Sequence, residues 1–397
     1  MILAGDFIPQ GREFVLDPSL LQEQILANLE GPVCSDGLEL SGKVGVCLHT
    51  VPRDWEGRWM YSLANNHMMD YCAEGLWQTK DYLECHGICS AGAGKNIIEA
   101  RKPVIVVENN LKIAIFSCCE RQFGMASNGE PGCAPLGVWL HSAIKQIKES
   151  HQAQAVIVSC HAASEFSPWP SPSLRSFYHS LVDAGADVIH GHHSHVPQGY
   201  EIYDGHPIFY GLGNFVVDPS MWRSNKNQLW SIVVRAHFNE KGLKWSAMPY
   251  GISEVAGKLH IRPLTGDDES NAIRYISNAN YAFRGDDTCV GCWQEMAMRL
   301  YPRIYMGNLR VFLADQKRLT LKHRVKLLYF ALIDMMQALI GKNVNSARTL
   351  YYSKVAYNLL ACQSHVDMIS LYLGLTSGIV KDLRTDEIKR IADHLGV

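Results

Sequence analysis

Short apolar runs that end in metal-binding residue types dominate the first half of the chain. Each run is rich in β-branched or other apolar residues, which is typical of a buried strand. The runs end at Asp6, at Glu30, at Asn66 and His67, at His161, and at His193 and His195. In an open α/β sheet, ligands gather beyond the carboxyl ends of the strands. The pattern therefore predicts that carboxylate, amide and imidazole groups meet in one small volume.

Helical patterns alternate with the strand-like runs up to about residue 263. The apolar spacing predicts helices over 70–84, 138–149 and 173–184, and strands over 88–91, 113–118, 156–160 and 188–190. This alternation favours an α/β fold with a substantially parallel sheet. Turn residues at 109–110, 204–205 and 239–242 predict three hairpins. We therefore expect a mixed sheet system, with two separate sheets as an alternative.

A polar break over 265–270 divides the chain. Beyond it the apolar spacing is helical, most clearly over 325–339 and 355–373. We expect one domain over 1–265 and a helical C-terminal region over 270–397. Cys289 and Cys292 form an isolated pair in that region, without a second pair of ligands, and indicate incidental thiols rather than a zinc site.

Charge and segment lengths exclude several classes of partner. With 37 Lys and Arg against 39 Asp and Glu, the chain has no basic footprint, and we expect no nucleic-acid partner. The first strand-like run begins at Met1, so we expect no secretory leader, and the 12 cysteines are expected to be reduced thiols. An apolar stretch over 326–341 contains Asp334 and is too short to span a membrane. We expect a cytoplasmic protein without a transmembrane segment, and the basic stretch over 315–326 leaves peripheral membrane contact open.

The histidines after the fifth run carry the sharpest local signal. His193 and His195 lie two residues apart at a strand end, and both imidazoles can point toward the crevice when the backbone leaves the pleat, a departure that Gly191 permits. Three histidines within four positions are difficult to satisfy in a core. We interpret His193 and His195 as metal ligands, and His192 as either a structural residue or a support for the ligands.

The other polar strand ends allow plainer interpretations as well. Asn66 offers a ligand oxygen, and His67 can reach a substrate from outside the ligand set. The alternative is that Asn66 caps a helix that begins near Asp70 and that His67 lies at the surface. Asp6 and Glu30 taken singly are ordinary turn residues, and they gain weight from the shared strand-end pattern.

Two further segments extend the candidate site. His161 offers an imidazole ligand, and Glu165, four residues later, suits the orientation of a ligand or a contact with substrate. Gly211 and Gly213 precede Asn214 after a strand, which indicates either a loop that closely approaches the site or simple turn chemistry.

The order and spacing of these motifs resemble the CapA family of bacterial capsule and poly-γ-glutamate synthesis proteins, a branch of the calcineurin-like metallophosphoesterases. The matching motifs are Gly5-Asp6, Asn28-Leu29-Glu30, Ala64-Asn65-Asn66-His67 with Asp70, His161 with Glu165, Gly191-His192-His193-Ser194-His195-Val196, and Gly213-Asn214-Phe215. The resemblance spans roughly residues 1–250. It implies a four-layer α/β/β/α metallophosphoesterase-like sandwich with the site at one sheet edge, followed here by the helical C-terminal region.

The resemblance also implies roles for individual residues. The implied metal ligands are Asp6, Glu30, Asn66, His161, His193 and His195, and His67 is implied to be the catalytic acid. We expect the remaining polar residues of the motifs to contact substrate or to support the ligands, namely Asn65, Asp70, Glu165, His192 and Asn214. Oxygen and imidazole ligands without a thiolate suit one or two divalent ions, with Mn, Fe, Zn and Mg all open.

These expectations favour a metal-dependent hydrolase of phosphoesterase type that acts on a small molecule or polymer precursor in capsule or cell-envelope polymer biosynthesis. Two alternatives stay open. One is hydrolysis or transfer of an amide or γ-glutamyl bond in poly-γ-glutamate synthesis. The other is a non-catalytic partner of a polymer synthase. In each case, capsule or polymer synthase components are the expected protein partners.

Overall fold

The computed structural model describes residues 1–43, 45–222, 225–302 and 354–397 except 356 and 358, together with Val325 and Tyr329. The sequence-predicted segments over 315–326, 325–339 and 326–341 lie outside the described residues, apart from those two positions. The strands are β1 Ile2–Ile8, β2 Phe14–Leu16, β3 Gln24–Leu29, β4 Arg58–Ser62, β5 Cys89–Ala91, β6 Ala93–Gly94, β7 Val104–Glu108, β8 Leu111–Cys119, β9 Gly132–Cys133, β10 Ala155–His161, β11 Val188–His192, β12 Tyr200–Tyr203, β13 His206–Phe209, β14 Asn214–Val217, β15 Trp230–Asn239, β16 Gly242–Val255 and β17 Lys258–Pro263. The helices are α1 Pro18–Leu21, α2 Cys72–Cys85, α3 Ile97–Ala100, α4 Trp139–Glu149, α5 Pro172–Asp183, α6 Gly266–Ala279, α7 Asp286–Leu300, α8 Gln363–Thr376 and α9 Asp386–Leu395.

Two main sheets carry the described strands other than β6 and β9, which pair with each other. The larger sheet has the order β2-β17-β16-β15-β1-β3-β4-β5, with β14 also paired to β1. The smaller sheet has the order β12-β13-β11-β10-β8-β7. Both have parallel centres, and the three hairpins predicted from turn residues form the antiparallel pairs β7–β8, β12–β13 and β15–β16. The mixed, two-sheet alternative is therefore the observed one.

The sheets face each other across an apolar layer, and helices cover their outer faces. The register of each sheet aligns apolar side chains in rows on the inner face: Leu3, Leu26 and Met60 on one side, and Ile115, Ile157 and Val188 on the other. Helix α2 packs on the outer face of the larger sheet, and α4 and α5 pack on that of the smaller sheet. The predicted α/β/β/α sandwich is confirmed.

Helix α5 shows how local sequence sets these elements. Pro172 occupies the first turn, where its missing N–H costs no helical hydrogen bond, and the Ser171 hydroxyl accepts from the backbone N–H of Leu174. Leu174, Tyr178 and Leu181 then recur on one helical face and are buried against the smaller sheet. The helix therefore begins one residue before the predicted range of 173–184.

The described C-terminal helices belong to the same apolar core as the two sheets. Residues of α6 to α9, among them Ala272, Met296, Met368 and Ile391, are buried in one cluster with the inter-sheet side chains. The pair Cys289 and Cys292 lies in α7 as buried free thiols. None of the described helices has the length and apolar composition needed to cross a membrane.

The polar stretch over 265–270 is the start of a helix rather than a linker. Asp267, Asp268 and Glu269 occupy the first turn of α6. Carboxylates are favourable there because the unpaired N–H groups give that helix end a positive partial charge. These acidic residues interrupt the apolar pattern of the sequence because they occupy a helix N-terminus.

An irregularity in β1 positions the candidate site. Leu3 is opposite Leu26 of β3, whereas Asp6 is opposite Asn28, so β1 contains one extra residue between the two pairs. Such a bulge changes the face to which the following side chains point. Without it, Leu3 and Asp6 would point to opposite faces. Gly5 lies in the bulge, where a Cβ atom would be 1.7 Å from the Gly213 carbonyl oxygen.

Candidate metal centre

The larger sheet brings two carboxylates together at its carboxyl edge. Asp6 lies in β1, and Glu30 follows β3 directly, with its backbone N–H donating to the Phe7 carbonyl oxygen. The amide nitrogen of Asn28 donates to Oδ1 of Asp6 at 2.8 Å and also to the Glu30 carboxylate. All three polar side chains are fully buried. Asn28 therefore holds two acidic groups side by side.

The smaller sheet supplies the imidazoles. His161 ends β10 and is paired in register with His192 of β11. The backbone then leaves the pleat at His193 and His195, whose φ angles are 93° and 56°. The departure begins after Gly191, which itself lies within β11. A Cβ atom on Gly191 would be 2.0 Å from the Tyr210 carbonyl oxygen, so close approach of the backbone requires its small size.

A series of hydrogen bonds through His190 and Ser159 determines which ring nitrogen of His192 carries the proton. Nε2 of His190 donates to the Ala4 carbonyl oxygen at 2.8 Å, so Nδ1 of this neutral ring accepts from the Ser159 hydroxyl at 3.0 Å. Burial lowers the pKa of His190 to about 4, in agreement with a neutral ring. The Ser159 oxygen in turn accepts from Nε2 of His192 at 3.1 Å. Nδ1 of His192 therefore carries a lone pair.

His161 also carries a lone pair on Nδ1. Its Nε2 donates to Oδ1 of Asn66 at 2.9 Å, which leaves the lone pair on Nδ1. That atom lies 2.9 Å from Nδ1 of His192. Two lone pairs at this distance repel each other, and a cation bound by both nitrogens relieves the repulsion. This pair of nitrogens is the clearest indication of a cation in the site.

Buried polar atoms that lack a hydrogen-bond partner lie near these nitrogens, although Oδ2 of Asp6 is 3.2 Å from Nδ1 of His195 in an ion pair. Oδ2 of Asp6, Oε1 of Glu30 and Nδ1 of His193 are buried and have no hydrogen-bond partner among the described residues. Ligand atoms within 4.8 Å of one another form two groups: Asp6 with His161 and His192, and Glu30 with His193 and His195. Two carboxylates and four imidazoles fit one or two divalent ions such as Mn, Fe or Zn.

Burial and mutual repulsion shift the pKa values of the centre. Burial, and then the Asp6 charge, raise the pKa of Glu30 well above its ordinary value. Burial and the neighbouring histidines lower the pKa of His161 well below its ordinary value, and the same causes act on His192. Burial also lowers the pKa of His195, but Asp6 and Glu30 outweigh it and raise that pKa to about 9. Bound cations would stabilise the charges that burial disfavours here.

His67 lies beside the centre, oriented by a carboxylate. Nδ1 of His67 is 2.6 Å from Oδ2 of Asp70, and Nε2 faces Oε1 of Glu30 at 3.9 Å. Lys43 forms an ion pair with Asp70, and its Nζ lies 3.1 Å from Nδ1 of His67. Burial, and then the Lys43 charge, lower the pKa of His67, and Asp70 offsets part of that effect. Nε2 of His67 is therefore directed to the candidate ligand groups.

The structure brings the predicted residues to one place, with some differences in arrangement. Asn66 contacts His161 through its amide oxygen, and Asn214 accepts from Nδ1 of His195 at 3.1 Å. His192, predicted as structural or supporting, lies in a ligand group. Glu165 is half-buried and has no ion pair with a described residue, although its charge raises the pKa of His195.

Asn65 orders the loop that carries His67. Its amide nitrogen donates to Oδ1 of Asn28 at 3.1 Å and to the Leu29 carbonyl oxygen at 2.6 Å. Its amide oxygen accepts from the backbone N–H of His67. Asn65 therefore joins the loop after β4 to the end of β3.

Several residues of the site escape the strand-end pattern. Asn28 and His190 lie inside strands, but each is a polar residue on the inner face, two positions before a predicted site residue. That spacing is a usable signal. Lys43, Glu120 and Gln122 lie in loops with no periodic pattern, and tertiary folding alone brings them to the site.

A cavity of about 560 Å³ opens beside Asn66 and Asp70. Lys43, Met69 and Phe123 line it, and the C-terminal region contributes Lys354 and Tyr357. Asn66 both lines the cavity and contacts His161, so the cavity adjoins the candidate ligand groups.

Comparisons with known proteins identify the family. The family model described as bacterial capsule synthesis protein PGA_cap matches residues 19–219, which is half of the chain. The chain is 31% identical over 227 residues to the "Probable polyglutamine synthesis accessory protein" of Mycobacterium tuberculosis, over 53% of this chain and 60% of that protein. It is 31% identical to the capsule biosynthesis protein CapA of Bacillus anthracis, over 53% of this chain and 51% of that protein.

A third relative is the PGA biosynthesis protein CapA of Bacillus subtilis, 30% identical over 56% of this chain and 58% of that protein. The matches thus span between half and three fifths of the length of these relatives. Among solved structures, the NAD nucleotidase of Haemophilus influenzae matches 55% of this chain and 40% of its own, at 15% identity and a TM-score of 0.30. Since the family model covers half of the sequence, the chain belongs to the bacterial capsule synthesis protein (PGA_cap, CapA) family.

Proposed function

We propose that this protein is a metal-dependent hydrolase of phosphoesterase type that acts on a precursor in capsule or cell-envelope polymer synthesis. The observation that carries the proposal is the pair of facing lone-pair nitrogens on His161 and His192, next to carboxylate oxygens of Asp6 and Glu30 that accept no hydrogen bond from a described residue. Buried acceptors without donors are costly unless a cation binds them. The two ligand groups would each hold one ion, and His67 is the proposed acid.

Bound divalent ions at such a centre supply activation of water and stabilisation of charge on the reacting oxygens. The chain itself supplies the proton. Asp70 holds Nδ1 of His67, which leaves Nε2 directed to the centre, where it can protonate a leaving oxygen. An anionic phosphoester that enters the site adds negative charge beside this ring and favours its protonated form.

The cavity beside Asn66 would hold the part of the substrate that does not react. Its volume of about 560 Å³ is within the usual range for small-molecule sites. Lys43 and Lys354 both line it. Lys43 is paired with Asp70, whereas Lys354 forms no ion pair with a described residue, and its ammonium group suits an anionic precursor.

Amide or γ-glutamyl bond chemistry is a second candidate, as is a non-catalytic role beside a polymer synthase. The names of the relatives favour these, because they refer to polyglutamine synthesis, to PGA biosynthesis and to an accessory protein. Under either candidate, synthase components would be the partners and the protein would work at the cytoplasmic side of the envelope.

One activity screen separates the candidates. Protein stripped of metal is reloaded separately with Mn²⁺, Fe²⁺, Zn²⁺ or Mg²⁺ and offered a phosphomonoester, a phosphodiester and a γ-glutamyl amide. We expect ion-dependent hydrolysis of a phosphoester, absent from His161→Ala and retained by His237→Ala, whose side chain is exposed on β15. Hydrolysis of the amide alone would favour the second candidate. Metal-loaded protein inactive on all three substrates would contradict the phosphoesterase proposal.

A further inference from the structure

A buried hydrogen-bond chain joins His193 to the C-terminal helices. The amide nitrogen of Gln122 lies 2.8 Å from Oε1 of Glu120 and 2.9 Å from Nε2 of His193. The same Glu120 oxygen accepts from the Ser364 hydroxyl at 2.7 Å and from the Cys362 thiol at 3.3 Å. Every member of this chain is buried, so water does not substitute for these contacts.

The carboxylate of Glu120 fixes the direction of the Gln122 amide. A carboxylate oxygen only accepts, so the NH₂ group of Gln122, and not its carbonyl oxygen, faces Glu120. The second N–H of that group is then directed to Nε2 of His193. Nε2 is therefore an acceptor, and the proton of the neutral His193 ring lies on Nδ1, which has no partner among the described residues.

We propose that Gln122 competes with metal for His193. A neutral imidazole offers one lone pair, and Gln122 occupies the lone pair that an ion in the group of Glu30, His193 and His195 requires. In the other group, Asp6 with His161 and His192, none of the described residues donates to the facing nitrogens. The inference rests on the proposed function, because it assumes that both groups bind metal. Two ions then bind with unequal affinity, more weakly at the group that contains His193.

The test compares metal binding by wild-type protein and by Gln122→Met, which keeps the side-chain length and removes the donor. Metal-free protein is titrated with Mn²⁺ in a calorimeter and with Co²⁺ by visible absorption. Wild type should show two unequal steps. Since a net hydrogen bond corresponds to roughly a tenfold change in an equilibrium constant, Gln122→Met should tighten the weaker step by about tenfold and leave the tighter step unchanged.

Two further variants make the result specific. Gln122→Asn keeps an amide that is one methylene too short to reach His193, so it should behave like Gln122→Met. Gln363→Met, at an exposed position on α8, should titrate like wild type. Circular dichroism on each variant verifies the fold.

The direction of the change decides the outcome. A residue that only orients His193 would weaken binding when it is removed, so weaker or unchanged binding in Gln122→Met overturns the inference. Wild-type protein that takes up neither Mn²⁺ nor Co²⁺ overturns the proposed function together with it. Wild-type protein that binds both ions equally tightly overturns the inference alone.

Discussion

Removal of one imidazole from the centre should abolish metal binding without unfolding the protein. His161 and His193 each belong to a different ligand group, and each is held in a buried site by several neighbours. We expect His161→Ala and His193→Ala to lose bound divalent metal while they keep the secondary structure of wild type. Elemental analysis and circular dichroism test both parts, with His237→Ala as the matched surface variant. Wild-type metal content in both variants would reject these two residues as ligands.

His67 should matter for turnover and not for metal content. Its Nδ1 is engaged by Asp70, and its Nε2 faces the centre without joining a ligand group. A general acid typically contributes about 10²–10⁴-fold to a rate. His67→Ala should lose activity by roughly that factor on a substrate with a poor leaving group, and less on one whose leaving group is already acidic. Steady-state rates on two such substrates, with metal analysis, test this.

Loss of metal in His67→Ala would instead make His67 a ligand. Full activity on the poor leaving group would remove it from the mechanism. Asp70→Asn is an informative companion, because it keeps the side-chain size at the residue that orients His67 and changes its charge.

At the scale of elements, Glu201 of β12 ties the smaller sheet to α5. Arg175 donates to both of its carboxylate oxygens at 2.9 Å, and His179 and Tyr210 each donate at 2.7 Å. Burial alone would raise the pKa of Glu201, but these hydrogen bonds outweigh it and lower that pKa below its ordinary value of 4.5. The ionised form of Glu201 therefore stabilises the fold.

The sign of the pH dependence follows from this lowered pKa. The stabilisation is complete above pH 4.5 and is lost as the pH falls through the lower pKa of the folded protein. At pH 7, Glu201→Gln should lower the free energy of unfolding by about 1.5–3 kcal/mol, the range for hydrogen bonds to a charged group. Urea unfolding at several pH values should show this deficit shrink in acid. Glu149→Gln, exposed on α4, should show neither effect, and a deficit independent of pH would contradict the argument.

Helices and strands with a clear apolar pattern could be predicted from the sequence. Helices α4 and α5 and strands β8 and β10 lie within two residues of their predicted ends. Each helix buries one face that recurs at helical spacing, and each strand is a short apolar run that is buried on both faces. Strands β14 and β17 escaped prediction. The pairing of β14 with the distant β1 leaves no local mark in the sequence. Strand β17 instead follows β16 through the two-residue turn Ala256-Gly257, a local hairpin signal that the sequence analysis did not use.

The site was predictable in composition and less so in arrangement. Glu30 follows β3 and His161 ends β10, so each lies at the carboxyl edge of its own sheet, as expected for parallel strands. Asp6 lies within β1, two residues before its end. The bulge at Gly5, which turns Asp6 inward, depends on the close approach of Gly213 and follows only from tertiary packing. A glycine inside a strand pattern is the one local hint of it.

At the scale of the whole molecule, the described C-terminal helices and the sheets share one apolar cluster. The division into 1–265 and 270–397 remains a prediction from sequence, and the shared cluster argues that both parts unfold together. Met368 of α8 is fully buried in it. Met368→Ala should lower the stability of the whole chain by about 2–5 kcal/mol and shift a single unfolding transition.

Calorimetry alongside circular dichroism and tryptophan fluorescence measures whether one transition is present. Leu373→Ala, on the same helix but 48% exposed, is the control and should shift the transition by at most about 0.5 kcal/mol. A second, separate transition that alone responds to Met368→Ala would show that the helices form a unit of their own.

The centre joins strand ends that are far apart along the chain, since β1, β3, β10 and β11 all contribute to it. Contacts between distant segments close loops at a large entropic cost and tend to form late in folding. An ion that binds only the assembled centre therefore stabilises the native state and not the barrier that precedes it. Bound metal would therefore slow unfolding and lengthen the lifetime of the folded chain. It would leave the folding rate unchanged, because the centre forms after the transition state.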